Sequence, residues 1–213
     1  MRLNFIKKVY IILSIQLIIT ASFVGFGCAY QEQYKTFVKE NIWLMIVCLV
    51  LNIICCYTLI YVRSCARKAP QNYTLLFLFT ITESYLVTCT TSFYDPQTIL
   101  IAAILTASIT IALTIYACTT KTDFTICGGL FFVLGMVLFV GCLLSLFFRN
   151  RIFQIIICCF SVVLYSLYLI YDTQLILGNK ENKLQIDDYI FAAMSLYIDI
   201  IQIFLAILQL IGE

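Results

Sequence analysis

The sequence predicts an all-α membrane protein with seven transmembrane helices in a single domain, residues 1–213. Its residues are 63% hydrophobic and 11% charged, whereas soluble domains carry about 25% charged residues. Seven apolar segments reach the length of about 20 residues that a helix needs to cross a bilayer. The connections between them are short, so we expect the function to reside in the helices or in these loops.

The seven segments are apolar runs bounded by polar or charged residues. They run 9–30, 42–62, 73–93, 98–118, 124–148, 152–177 and 189–211, and both prolines, Pro70 and Pro96, fall in predicted loops. The first segment is too long for the core of a signal peptide, and no clean cleavage site follows it. The last is long enough for a full crossing, which puts Glu213 on the luminal side; a re-entrant hairpin, with a cytosolic C-terminus, is the alternative.

Basic residues predict the orientation, because cytosolic loops carry an excess of lysine and arginine. With a cytosolic N-terminus, nine basic residues lie on the cytosolic side: Arg2, Lys7, Lys8, Arg63, Arg67, Lys68, Lys121, Lys180 and Lys183. Four lie on the other side: Lys35, Lys39, Arg149 and Arg151. The net charge of +2 is close to neutral, so we expect the lipid bilayer as a partner and no nucleic acid.

The cysteine and histidine content argues against a bound metal cofactor. The chain has eleven cysteines, most of them inside apolar runs, but no histidine and no C-x-x-C pair. A zinc site needs four ligands, usually thiolates or imidazoles. We therefore expect the cysteines to pack as small apolar residues and no cofactor to be bound. Because the chain has no histidine, any response to pH near neutrality must come from carboxylates with a shifted pKa.

Three acids, Glu83, Asp172 and Asp199, lie inside the predicted spans, and no lysine or arginine does. An ionised carboxylate in hydrocarbon costs at least about 2.5 kcal/mol. Without a base nearby, these acids must share protons, bind a cation or contact water. The pattern predicts a proton-sensitive cation path.

The last span carries a regular stripe of small and polar residues. Residues at spacings of three and four share one helix face, and here they are Ala192, Ser195, Asp199, Gln202, Ala206 and Gln209. Small residues alone favour close helix packing, whereas a central acid favours a face on a wet cavity. Ser195 and Gln202 are therefore candidate residues of the ion path.

Asp172 and Asp199 lie on consecutive helices that we expect to be antiparallel neighbours, because the loop between them is short. At ~1.5 Å per residue, Asp172 lies about 7 Å and Asp199 about 15 Å from the cytosolic ends of their helices. Contact between them therefore requires the sixth helix to extend a turn beyond the bilayer or the seventh helix to be shifted. Two carboxylates in contact share one proton and titrate as a coupled pair. Arg63 and Arg67 are candidate partners for the remaining charge.

Glu83 lies centrally in the third segment and has two interpretations. It is either a protonated acid that is hydrogen-bonded to a neighbour such as Asn52, also at mid-depth, or a residue of the ion path together with Asn52.

Short motifs occur in order along the whole chain. They are FIKKVY at 5–10, PQNY at 70–73, ESY at 83–85, TKTDFT at 120–125, FRNRI at 148–152, YDTQLILGNK at 171–180, YIFAA at 189–193 and LYIDII at 196–201. Together they resemble the transmembrane Bax-inhibitor-motif family, in particular its Lifeguard and Golgi anti-apoptotic branch. The long Pro-rich cytosolic tail common in Lifeguard proteins has no counterpart before residue 5, so we expect no partner binding through such a tail.

The resemblance implies a bundle in which the C-terminal helix is central and wrapped by the other six. It also implies a calcium leak across the membrane of the endoplasmic reticulum or Golgi, with more leak in acid and an effect on apoptosis. The matched motif assigns the pH sensor to Asp172 and Asp199, which would contact calcium transiently. Calcium ions, apoptotic proteins and calcium-channel proteins are the candidate partners.

Two rival functions come from other classes. An intramembrane aspartyl protease also places two acids on consecutive helices, but its G-x-G-D pattern is absent around Asp199 and no Pro-Ala-Leu motif follows. We therefore expect no enzymatic activity. A non-conducting regulator of channels or apoptotic proteins is the second alternative, and the sequence leaves it open.

Overall fold

A computed structural model describes residues 1–62, 66–147 and 150–212, with the side chain of Leu146 left out. Within these ranges the chain is all-helical, as predicted. Its α-helices are α1 (Arg2–Ala29), α2 (Gln31–Glu40), α3 (Ile42–Tyr61), α4 (Gln71–Thr91), α5 (Pro96–Thr119), α6 (Gly128–Phe147), α7 (Arg151–Leu177) and α8 (Tyr189–Ile211). Short 3-10 turns at Thr125–Cys127 and Ile186–Asp188 precede α6 and α8. All of the α-helices except α2 are long and apolar enough to cross a membrane, which confirms seven candidate spans.

Several predicted boundaries were wrong. Helix α1 begins at Arg2, so Lys7 and Lys8 lie within a candidate span, contrary to the prediction that no span holds a base. Long lysine stems can lie along a helix and deliver the ammonium group to the interface. Pro96 begins α5 instead of lying in a loop, because the first turn of a helix tolerates a residue without an N–H. Predictions that involve Phe148, Arg149 and Glu213 fall outside the described residues.

Helix α2 was not predicted. It is ten residues long and too polar to cross a membrane, and its Lys35 ammonium lies 3.1 Å from the Glu32 carboxylate one turn earlier. It contacts α1, α3 and α4.

The chain divides into two compact units, Met1–Pro96 with Gln185–Tyr197, and Gln97–Leu184 with Ile198–Glu213. Helix α8 therefore contributes residues to both units. In its most apolar window 72% of the residues are buried, the highest share among the seven candidate spans. This confirms the predicted central position of the C-terminal helix. The single domain over 1–213 stays a prediction.

The first unit is held together by polar contacts as well as by apolar packing. Helix α4 packs against α1 and α3. The Gln16 amide donates to Thr80 Oγ1 (3.0 Å), and Thr20 Oγ1 is hydrogen-bonded to Ser84 Oγ (2.9 Å) and to the Tyr197 hydroxyl (2.8 Å). Interhelical hydrogen bonds inside membranes contribute about 0.6 kcal/mol each on average, so this buried chain of bonds fixes how α1, α4 and α8 are rotated.

The second unit is built on the pair α6 and α7. Helix α7 has a defined cap at each end. The Asn150 side chain accepts a hydrogen bond from the Ile152 N–H (3.0 Å), and Gly178 ends the helix in the left-handed conformation with φ 67°. Glycine adopts that conformation without steric cost, so the chain leaves α7 within two turns of Asp172.

Close approach of α6 to α7 depends on a glycine. A Cβ at Gly135 would lie 2.8 Å from the Tyr168 hydroxyl, and that hydroxyl donates to the Phe131 carbonyl at 2.7 Å. The added methyl must displace the Tyr168 hydroxyl from its bond to the Phe131 carbonyl. We therefore predict that Gly135→Ala lowers the free energy of unfolding by about 1–3 kcal/mol relative to Gly129→Ala, the usual cost of overpacking. Gly129→Ala is the matched control, because a Cβ there meets nothing within 4 Å. Thermal unfolding in detergent checks this, and equal melting temperatures for the two variants would contradict it.

Candidate functional site

Asp199 lies in the middle of α8 and is the most buried of the three intramembrane acids. It is 5% exposed, and its Oδ2 atom has no hydrogen-bond partner among the described residues. An unsatisfied buried polar group costs about 1–3 kcal/mol, and more when it is charged. This oxygen therefore needs a proton, a cation or water.

Asp172, in the last turns of α7, is half-buried. It lies close enough to Asp199 for the two carboxyl groups to interact electrostatically. Two neighbouring carboxylates cannot both ionise without a large cost. The structure thus brings together the two acids that the sequence analysis singled out, on the consecutive helices α7 and α8.

Two tyrosines form a wall beside the acids. Tyr168, one turn before Asp172, lies within electrostatic range of both aspartates. Its hydroxyl is already donated to the Phe131 carbonyl, so the bond to α6 competes with any bond to a carboxylate. The ring of Tyr171 packs edge-on against Phe131, with centroids 5.5 Å apart.

Gln174 anchors the loop between α5 and α6 to α7. It is 1% exposed. Its Oε1 accepts from the Phe124 N–H (2.9 Å), and its Nε2 donates to the Thr122 carbonyl (3.0 Å). A buried amide that satisfies two backbone groups at once fixes the loop relative to the helix, and Asp172 lies only two residues before it.

The loop after α7 is attached to the same segment. Lys180 Nζ donates to the carbonyls of residues 120 and 121 at 3.1 and 2.9 Å. Asn182 donates through its side chain to the Thr125 carbonyl (3.0 Å). Gln174, Lys180 and Asn182 are called the loop clamp below. The clamp joins the loop between α5 and α6 to the loop between α7 and α8, at the end of α7 that carries Asp172.

Asp123 orders the segment that the loop clamp holds. Its Oδ1 accepts hydrogen bonds from the Thr125 hydroxyl (2.6 Å) and N–H (2.8 Å), and its Oδ2 accepts from the Glu181 N–H (3.1 Å). The bond from the Thr125 hydroxyl is the main reason that the pKa of Asp123 lies below its ordinary value of 3.8. Its contribution to stability is present above that value and is lost as the pH falls through the lowered pKa. Asp123 therefore stays ionised near neutrality and is no sensor there.

Glu83 belongs to the first unit and is half-buried on α4. Its carboxyl group interacts with the Asn52 amide on α3 and electrostatically with Tyr197. Asn52 also donates to Thr82 Oγ1 (3.3 Å) and to the Phe79 carbonyl (3.4 Å). The expected neighbour of Glu83, Asn52, is thus present. Its hydrogen bond to the Glu83 carboxyl group is compatible with a protonated acid that serves in packing and with a residue of a polar path.

The remaining predicted site residues are placed as follows. Ser195 and Gln202 are half-buried on α8. Arg67 forms a two-bond ion pair with Asp188, with Nε–Oδ1 at 2.8 Å and Nη2–Oδ2 at 3.0 Å, and this pair raises the pKa of Arg67. That Arg67 balances the remaining negative charge of Asp172 and Asp199 stays a prediction. Arg63 lies outside the described residues.

A resident metal centre needs more ligands than the acid pair supplies. In the part of the chain that the structure describes, no three histidine, cysteine, aspartate or glutamate side chains lie close enough together to hold a metal ion. Calcium normally takes six to eight oxygen ligands. Two carboxyl groups supply at most four of those oxygens.

These features define a polytopic helical membrane protein with two neighbouring acids on its last two candidate spans. The family described as inhibitor of apoptosis-promoting Bax1 matches residues 2–213, and the chain belongs to that family. It is 36% identical to protein lifeguard 3 of Homo sapiens over 216 residues, covering 100% of this chain and 69% of the relative. Protein lifeguard 4 of Mus musculus is 34% identical over 210 residues, covering 98% of this chain and 84% of the relative.

Proposed function

We propose that this protein is a pH-sensitive calcium leak channel of an intracellular membrane, the endoplasmic reticulum or Golgi, with its N-terminus in the cytosol. Leak from such a store sets its resting calcium content and thereby modulates apoptosis, in keeping with the description of the family. One observation carries the proposal: the buried Asp199 has an oxygen without a hydrogen-bond partner in the described part of the chain and lies beside Asp172.

The first step of the argument is the cost of charge. Two ionised aspartates side by side in a low-dielectric region repel each other and lose their hydration. Sharing one proton removes one of the charges. A divalent cation at the same place neutralises both charges at once. Proton and cation therefore compete for Asp172 and Asp199, which makes the occupancy of the pair depend on pH.

The second step concerns the kind of cation. Carboxyl oxygens are hard ligands, which suit calcium better than soft transition metals. Ser195 and Gln202 add hydroxyl and amide groups to the same face of α8. Because the pair cannot enclose an ion by itself, a calcium ion that reaches it keeps part of its water and can leave, as conduction requires.

The third step is the gate. Asp172 lies two residues before Gln174 of the loop clamp, so the end of α7 is tied to the loop between α5 and α6. We propose that the shared proton latches α7 to α8 and that a change in the number of bound protons shifts the open fraction. The resemblance of the motifs implies more leak in acid.

Calcium release from liposomes that contain only the purified protein tests the proposal. We expect release above that of protein-free liposomes, and it should follow the calcium gradient in either direction. Absence of release from folded protein would favour the non-conducting regulator. Cleavage of a model transmembrane peptide without any flux would favour the protease.

The same liposomes test Glu83. We predict that Glu83→Gln folds normally, because the amide has the same shape and can still bond to Asn52, and that calcium flux falls because a negative charge has left the ion path. Unchanged flux would remove Glu83 from the path and leave it as a packing acid. Loss of folding would contradict both interpretations.

A further inference from the structure

A groove of about 430 Å³ lies on the first unit, where α1 and α4 begin. Its polar end is lined by Asn4, Lys7, Lys8 and Tyr73, and its wall by isoleucines of α1 that include Ile11 and Ile15. The sequence predicted none of this, because the first span was expected to start only after the lysines.

The polar end of the groove is basic. Lys7 and Lys8 are both exposed, and the Lys7 ammonium forms no ion pair among the described residues. No carboxylate is among the residues that line the described part of the groove. The nearby carboxylate of Asp188, next to Tyr189, is paired with Arg67. The described lining therefore carries positive charge and no negative charge.

Lys8 is held in place by aromatic rings. Its Nζ lies 3.3 Å from the centroid of the Tyr189 ring and 5.7 Å from that of Tyr73. The Tyr189 hydroxyl accepts a hydrogen bond from the Asn72 amide at 3.1 Å. A lysine over two rings has lost much of its rotational freedom, so this end of the groove is preorganised for an anion.

The wall of the groove is apolar and extends into the span. Ile11 and Ile15 are 61% and 53% exposed and lie on one face of α1. From Lys7 to Ile15 the helix rises about 12 Å. A small anion such as free phosphate would use the lysines but not this wall, whereas an amphiphile would use both.

We propose that this groove binds an anionic glycerophospholipid, with its phosphate at Lys7 and Lys8 and one acyl chain along Ile11 and Ile15. A zwitterionic lipid carries its own cation beside the phosphate and gains less from the two lysines. The site is independent of the acid pair and does not rest on the proposed calcium leak.

Native mass spectrometry of the purified full chain, with equal amounts of phosphatidylglycerol and phosphatidylcholine of the same acyl chains, tests the proposal. We expect a preference for phosphatidylglycerol that falls about fivefold in Lys7→Gln, from the usual contribution of one lysine at a membrane surface. Lys7→Arg should keep it. The control is Lys39→Gln, an exposed lysine on α2, which should also keep it.

A second variant separates a lipid from a free anion. Ile15→Trp fills the apolar wall without touching the lysines, and we expect it to weaken phosphatidylglycerol retention. Added inorganic phosphate should displace little lipid. The proposal is overturned if the wild-type protein shows no preference, if Lys39→Gln loses as much as Lys7→Gln, or if inorganic phosphate competes fully and Ile15→Trp has no effect.

Discussion

Asp172→Asn and Asp199→Asn are each expected to flatten the pH dependence of calcium flux, at normal expression and fold. Either change leaves a single carboxyl group without a partner with which to share a proton, so the coupled titration disappears. The double variant should add little. Groups that act as one unit commonly show coupling energies of about 0.5–3 kcal/mol, so the two single effects should not sum.

The matched control for these variants is Asp95→Asn. Asp95 is an exposed acid in the connection before α5, and its loss should leave the pH profile unchanged. The pH should be varied between about 5 and about 8, where isolated aspartates are already ionised. An unchanged profile in both single variants, with the fold intact, would remove the acid pair from the mechanism.

Gln174→Leu is expected to have the second large effect. The leucine fills a similar volume but leaves the Phe124 N–H and the Thr122 carbonyl without their partner. Each unpaired group costs about 1–3 kcal/mol when buried. Because both groups lie in a partly buried loop, we expect the free energy of unfolding to fall by about 2–4 kcal/mol in total. We also expect a shifted pH response of calcium flux, because Asp172 lies in the turn that the loop clamp holds.

Thermal unfolding in detergent measures this loss of stability. Gln97→Leu is the matched control, because Gln97 is exposed near the start of α5 and its replacement leaves no buried group unpaired. A melting temperature for Gln174→Leu equal to that of Gln97→Leu would show that the loop clamp does not stabilise the protein.

Hydropathy predicted the location of the membrane-spanning segments more accurately than the residues at which the helices begin. The bounds of α8, Tyr189–Ile211, agree with the prediction because polar residues flank an unbroken apolar run. The start of α1 was missed by seven residues, because Lys7 and Lys8 end the apolar run but do not end the helix. Helix α2 was missed because ten mostly polar residues give no spanning signal.

The candidate site was predictable in part. Acids in an apolar stretch are conspicuous, so Asp172, Asp199 and Glu83 could be selected from sequence alone. The loop clamp could not, because Gln174 bonds to backbone groups about fifty positions away and backbone groups carry no sequence signal.

The buried hydrogen bonds of the first unit had a signal that sequence reasoning did not use. Gln16 and Thr20 on α1 are four residues apart, as are Thr80 and Ser84 on α4. Each pair therefore forms a short polar stripe on one helix face, and the structure joins the two stripes.

The central claim is that Asp172 and Asp199 share a proton that calcium displaces. Infrared difference spectroscopy of the reconstituted protein tests it most directly, in a Glu83→Gln background that removes the other intramembrane acid. At about pH 7, where isolated aspartates are ionised, the account predicts a protonated carboxyl band that disappears on addition of calcium and is absent in Asp199→Asn. A spectrum without that band, or a band that neither calcium nor Asp199→Asn changes, would contradict the account.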